Sequence, residues 1–279
     1  MESIDLTSVR RILTRLEDTV IFLLIERAQF SHNPVIYANT SAFEELEKDE
    51  ESTFMNWMLR QTEITHARLR RYESIDEYPF TPRNQLPVTI LPPLNYPNFL
   101  HPNQININDE LKRSYINKIV PVLTKGEGRP LDDLHYVSSA TRDIDILQTV
   151  SRRIHYGKFV AELKFRENPS KFIRYIRDKN SEELSKLITI QKVEEALIKR
   201  LEKKTIIYGQ DINESSQCNA SQSGELKLNA PLVTSMYKEF IIPLTKKVEV
   251  EYLLNRLEGL SESDINDLLE NRKNVVDKK

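Results

Sequence analysis

Arg153 and Lys164 stand eleven residues apart in the segment YVSSATRDIDILQTVSRRIHYGKFVAELKF, Tyr136 to Phe165. With no proline and one glycine, the segment predicts a single helix of about eight turns. Eleven residues at about 100° each make three turns plus about 20°, so both cations project from one face. Ile146, Val150, Gly157 and Val160 share that face. Two cations in an apolar stripe are costly to bury unless something anionic meets them. Gly157 costs about 1 kcal/mol of helix propensity relative to alanine and is expected to leave open space between the charges. An anionic ligand lying there is one reading. Two buried salt bridges to neighbouring helices are the other, and these residues alone leave the choice open.

Three more segments carry polar groups toward an interior. From Leu6 to about Phe30, the residues Leu6, Val9, Leu13, Leu16, Val20 and Leu24 recur at helical steps, with Asp5 or Ser3 as possible caps. Arg10 and Glu17 fall at the edge of that stripe. Val193 to Tyr208 reads as a helix closed by Gly209 and brings Glu194 or Glu195. A helix from about Leu232 to Leu257, kinked or split at its start by Pro243, is apolar around most of its circumference. Thr245 and Glu249 nevertheless sit one turn apart on one of its faces. Four helices doing this imply a polar pocket inside a bundle. The plainer alternative for Glu249 is a structural salt bridge with Lys164 or Arg153.

The remaining elements must support that pocket. Phe54 to Tyr72 reads as a helix ending in Arg70 and Arg71. Pro79 to Pro102 holds seven of the thirteen prolines together with Phe80, Ile90, Leu91, Leu94, Tyr96, Phe99 and Leu100. Regular helix is excluded there, and the apolar content predicts an ordered loop packed over helices. Ile107 to Leu123 is helical, and Thr124 to Asp133 is turn-rich. Lys171 to Arg177 and Ser181 to Thr189 are short helices. Asn213 to Ser223 is polar and expected to be mobile. With no strand alternation and no internal repeat, the fold is predicted to be all-α, a single-domain helical bundle around one very long central helix. The expected domain is residues 1–258. The charged tail 259–279 is expected to be a frayed surface helix or disordered.

Composition removes several function classes. A net charge of −2 over 279 residues argues against a general nucleic-acid binder. One cysteine, Cys218, allows no internal disulfide framework. The five histidines are dispersed, so no metal site is expected. Neither glycine-rich nucleotide cradle occurs, nor the G-x-S-x-G elbow. The expectation is chemistry without cofactor, metal or nucleophile. The first residues lack the apolar core of a signal peptide, and the longest clean apolar run, Val20 to Ile25, is too short to span a bilayer. A cytoplasmic protein without membrane contact is expected.

The segments RILTRLEDTVIFLLIERAQF, SATRDIDILQTVSRRIHYGKFVAELKF and IIPLTKKVEVEYLLNRLE, with THARLRRYES and LPPLNYP between them, resemble the allosteric chorismate mutases of yeasts and other fungi. The likeness runs from about Leu6 to Glu258. It implies an all-helical homodimer that converts chorismate to prephenate for tyrosine and phenylalanine synthesis, with one active site in each subunit. By position, Arg10 and Arg153 would bind the two substrate carboxylates, with Thr245 assisting. Lys164 and Glu249 would face the ether oxygen of the breaking bond, and Glu194 would accept from the ring hydroxyl. Ile190 stands where relatives carry a polar residue and would contribute only its backbone N–H. A helical dimer without catalysis, sensing aromatic amino acids or acting as a scaffold, is the alternative.

The resemblance also implies inhibition by tyrosine and activation by tryptophan at a site between subunits. Arg70 and Arg71 of one subunit, with Ser138 and Thr141 of the other, occupy the matching positions. Guanidinium groups and helix N-termini both suit an amino-acid carboxylate. A solvated helix end is the plain reading of Arg70 and Arg71. Val137 stands where relatives have glycine and is expected to crowd an effector. Asn229 stands near a threonine linked in the family to switching between states.

Overall fold

The computed structural model describes residues 4–39, 43, 53–94, 99–126, 128–210 and 227–270. Those residues form helices and connecting turns with no strand. Helix α1 (Leu6–Arg27) starts at Asp5, whose carboxylate accepts from Ser8 N at 2.7 Å while the Ser8 hydroxyl accepts from Asp5 N at 3.1 Å. Such a reciprocal cap stabilises a helix start by about 1 kcal/mol. Helix α2 (Phe54–Arg68), capped by Thr53, is shorter than its sequence suggests. Arg70 takes a left-handed conformation with φ of 68°, which ends the helix and starts a separate 3-10 turn at Arg71.

Two prolines inside helices explain the next irregularities. Helices α3 (Asn108–Ser114) and α4 (Val120–Leu123) are joined by a π turn over Tyr115–Ile119, with Pro121 just beyond it. The same device recurs later. Helix α5 (Tyr136–His155) is followed by α6 (Gly157–Glu167), α7 (Pro169–Arg177), α8 (Ser181–Ile188) and α9 (Gln191–Tyr208). Then α10 (Ala230–Met236) passes through a π turn at Tyr237–Ile241 into α11 (Ile242–Leu254), with Pro243 in its first turn. A proline cannot donate to the carbonyl four residues back, and its ring collides with that carbonyl. A wider π turn moves the carbonyl aside. The helix therefore continues through Pro243 instead of splitting.

The expected single helix over Tyr136 to Phe165 is two helices separated by one residue, Tyr156. Tyr156 itself stays right-handed at φ −59° and ψ −16°. Helix α5 packs between α1 and α11, and α6 packs on α11. Val20, Ile21, Leu24, Ile146, Leu147, Ile154, Phe165, Val248 and Leu253 form the core there. Burying each such side chain contributes about 1.5–3 kcal/mol. A polar knot crosses this core: Arg27 donates to Asp143 at 2.8 Å and to the carbonyl of Ser31 at 3.0 Å, and Tyr115 donates to Asp143 at 2.6 Å.

The proline-rich segment is only partly packed. Glu63, fully buried on α2, accepts from the backbone N–H groups of Phe80 and Thr81 at 2.7 and 2.6 Å, and Phe80 and Phe99 are buried. Val88 and Ile90 remain 87% and 71% exposed, and Leu91 and Leu94 are exposed as well, against the expectation of a covering loop. Beyond Gly259 a further helix, α12 (Glu262–Glu270), docks on α7, with Ile265 buried and Glu262 paired to Arg177. That stretch is therefore anchored, not frayed. Asn213 to Ser223 and residues 271–279 lie outside the described residues.

Candidate active site

A cavity of about 160 Å³ opens between α1, α5, α6, α9 and α11. Arg10, Arg153, Gly157, Lys164, Ile190, Glu194, Thr245 and Glu249 all line it. The helical spacing of Arg153 and Lys164 therefore survives the break at Tyr156. Leu13, Val160, Leu197 and Ile242 supply an apolar remainder. Lys246, which sequence reasoning missed, also lines the wall and pairs with Glu194 at 2.8 Å. Its place three residues before Glu249 was the available signal, since residues three apart on a helix are neighbours on one face.

Arg153 is 6% exposed, and its Nε has no hydrogen-bond partner. Of the two readings left open for it, a salt bridge to a neighbouring helix is absent among the described residues. Lys164 is partly buried and donates one hydrogen bond, to the carbonyl of Ile188. Burial holds its pKa below the usual lysine value, against the opposing pull of Glu249. Glu249 is 8% exposed, and burial pushes its pKa up to about 7, although the charges of Lys164 and Arg153 oppose the shift. Close to neutral pH that carboxyl can therefore donate a hydrogen bond. The Thr245 hydroxyl donates to Ile241 O at 2.6 Å, and Ile190 caps the start of α9.

Two expectations need correction here. A Cβ at Gly157 would lie 3.0 Å from Glu249 Cγ and 3.1 Å from both Thr245 Cγ2 and the Thr245 carbonyl oxygen. Gly157 thus permits the close approach of α6 to α11 and does not leave open space between the cations. Glu17 points away from the cavity: it is buried against Arg200, at 2.9 and 2.8 Å, and Lys204. Of the two candidate acids at the start of α9, Glu194 reaches the cavity and Glu195 stays outside, bonded to Gln191.

The expected effector residues do not meet within one chain. Arg71 donates to Glu77 at 3.2 Å and to Gln148 on α5 at 2.8 Å, with His66 at 3.0 Å. It is not a free helix end. Arg70 donates to the carbonyl of Pro92. Ser138 and Thr141 lie in the first turns of α5, about 15 and 10 Å along the helix from Gln148. Thr141 donates to Val137 O at 2.7 Å, and Val137 is 62% exposed. Asn229 stands just before α10, and its carbonyl accepts from Leu232 N at 3.1 Å.

Comparison with known proteins bears on this cavity. Residues 135–250 match the family model described as chorismate mutase type II. The chain is 42% identical to chorismate mutase of Saccharomyces cerevisiae over 257 residues, covering 91% of this chain and 96% of that protein. It is 42% identical to chorismate mutase 2 of Arabidopsis thaliana, covering 92% and 94%. Among solved structures, the Candida albicans chorismate mutase in complex with L-Trp superposes with a TM-score of 0.83 at 40% identity, covering 94% of this chain and 95% of that one. AtCM1 with tyrosine bound in its allosteric site gives 0.78 at 39% identity, covering 92% and 98%.

Proposed function

The chain belongs to the chorismate mutase family, and from that premise we propose how its cavity performs the rearrangement of chorismate to prephenate. The enzyme is an isomerase, and the reaction is intramolecular. One C–O bond breaks while one C–C bond forms, and no group leaves. The protein has to hold a flexible dianion in the reactive shape and stabilise the charge that grows on the ether oxygen. Arg153 and Arg10 take the two carboxylates, with Thr245 beside one of them. Lys164 spends one of its three N–H donors on Ile188 O, which leaves it able to donate another to the ether oxygen. Glu249, protonated, donates to the same oxygen. Glu194 accepts from the ring hydroxyl and is held by Lys246. Ile190 offers its backbone N–H.

The observation that carries this reading is Arg153. A guanidinium that is buried, lines a cavity and has an unpartnered Nε among the described residues is costly unless an anion completes it. A scaffold would have closed that charge with a carboxylate. Loss of ultraviolet absorbance as chorismate is consumed tests the reading directly. In Arg153→Ala, kcat/KM should fall by several powers of ten while the protein stays folded, since a buried charge-assisted contact is worth about 2–5 kcal/mol. Near wild-type turnover in that variant would remove Arg153 from the site.

The reading extends to regulation and assembly. Relatives of this chain hold L-Trp or tyrosine, which supports aromatic amino acids as effectors here. Tyrosine inhibits and tryptophan activates, at a site formed by Arg70 and Arg71 of one subunit of a homodimer and Ser138 and Thr141 of the other. The exposed Val137 narrows that site. The catalytic unit is residues 1–258. No described helix is long and apolar enough to cross a membrane, and the enzyme works in the cytoplasm on chorismate, without a cofactor.

A further inference from the structure

Arg153 has to meet a carboxylate at hydrogen-bond distance, yet no side chain among the described residues holds its Nε. Its place must be set by residues around it, and two of these, Arg152 and Tyr156, are gripped by Asp76, with Glu77 in a longer ion pair to Arg152 at 3.6 Å. Arg152 donates to Asp76 Oδ2 from Nε at 2.9 Å and from Nη2 at 2.6 Å. The Tyr156 hydroxyl donates to the same oxygen at 2.9 Å. Tyr156 is the single residue between α5 and α6, and Gly157 follows it in the cavity wall. Asp76 thus holds the chain on both sides of Arg153, at the one point where the long helix is interrupted.

Asp76 is buried and comes from the segment that follows Arg70 and Arg71, none of which lines the cavity. Ser74 donates to its second oxygen. Burial alone would raise the Asp76 pKa. The hydrogen bond from Ser74 and the charge of Arg152 outweigh that and hold it below the ordinary value, so the clamp is ionised near neutral pH. Resting on the reading of Arg153 as a carboxylate-binding residue, we propose that Asp76 is a positioning residue for the rearrangement: by holding Arg152 and Tyr156 it fixes the α5–α6 junction and aims Arg153 into the cavity.

A clamp that only stabilises the fold would change melting temperature and leave the kinetics of the folded enzyme alone. The test is a double-mutant cycle on chorismate turnover, using Asp76→Asn, Arg153→Lys and the pair, below each variant's melting temperature. Asp76→Asn should lower kcat/KM by about tenfold to hundredfold, mostly through KM. In the Arg153→Lys background the same change should cost less than about threefold, because the group it aims is already altered. Tyr156→Phe should move kcat/KM in the same direction by a smaller factor, and it carries the test if Asp76→Asn does not fold. Unchanged kcat/KM in the folded variants, or an equal loss in both backgrounds, would overturn the proposal. Arg153→Lys with wild-type turnover would overturn it too, by removing the carboxylate role of Arg153 on which it rests.

Discussion

Glu249 shows how one environment sets one role. Its pKa is pushed up to about 7 by burial, against the pull of Lys164 and Arg153. As a hydrogen-bond donor it works only when protonated, so kcat should fall as pH rises through that region. Glutamine donates at every pH. Glu249→Gln should keep substantial activity and lose the alkaline decline, whereas Glu249→Ala should be poor throughout. Profiles of kcat from about pH 5 to 9 decide it, and a flat wild-type profile with Gln behaving like Ala would end the donor role. The same group affects stability. A carboxyl whose folded pKa lies above its unfolded value stabilises the fold below the unfolded value, and that contribution is lost as pH rises through the folded one. Melting of the ligand-free enzyme should therefore weaken between about pH 4.5 and 7, and the weakening should be reduced in Glu249→Gln. The sequence offered Glu249 only as one turn from Thr245 on an apolar helix. What it could not offer was the distance to Lys164, which is set by the packing of α6 on α11.

Among the elements, period carried the most information and glycine the least. The 3.6-residue repeat placed Arg153 and Lys164 on one face, and that placement holds. Tyr156 itself does not mark the break, because tyrosine is an ordinary helix residue and its backbone stays right-handed; the local signal is the low helix propensity of Gly157, which follows it. Gly157 was ambiguous for a different reason. A missing side chain signals either open space or a close neighbour, and only the partner helix decides which. Here it is α11, whose Thr245 carbonyl oxygen, 3.1 Å from an added Cβ, would have to give by a few tenths of an ångström. Gly157→Ala gains about 1 kcal/mol of helix propensity and meets overpacking that costs about 1–3 kcal/mol. It should lower the melting temperature and reduce kcat by more than about tenfold, because it presses on Thr245 and Glu249. Thermal melting and turnover of the one variant check both effects, and a raised melting temperature with normal kcat would contradict the packing described. The contact of Arg71 with Gln148 was equally hidden, since Gln148 lies far along the chain and no local pattern joins them.

At the scale of the molecule, the exposed apolar side chains of the proline-rich segment have a defined setting. Ile90 N donates to Arg68 O at 3.0 Å and Thr89 Oγ1 to the same carbonyl at 3.1 Å, so the segment is pinned to the end of α2. Arg70 reaches back to Pro92 O. With its backbone fixed there, Val88, Ile90, Leu91 and Leu94 project outward beside the proposed effector arginines. Exposed apolar side chains gathered in one segment suit association, and here they adjoin residues whose proposed partners, Ser138 and Thr141, belong to a second subunit. The cavity differs, because this chain itself supplies Arg10, Arg153, Lys164, Glu194, Thr245 and Glu249 to it. Separating the subunits should therefore cost regulation and spare catalysis. Val88→Asp combined with Ile90→Asp places two charges in the proposed interface. Light scattering after size-exclusion chromatography should then give a monomer, against the dimer proposed for the wild type. Basal chorismate turnover should stay within about threefold of wild type, and the responses to tyrosine and tryptophan should disappear. A variant that stays dimeric would move the interface elsewhere. A monomer without turnover would mean that the site depends on its neighbour, through the junction at Tyr156 or another contact with the long helix.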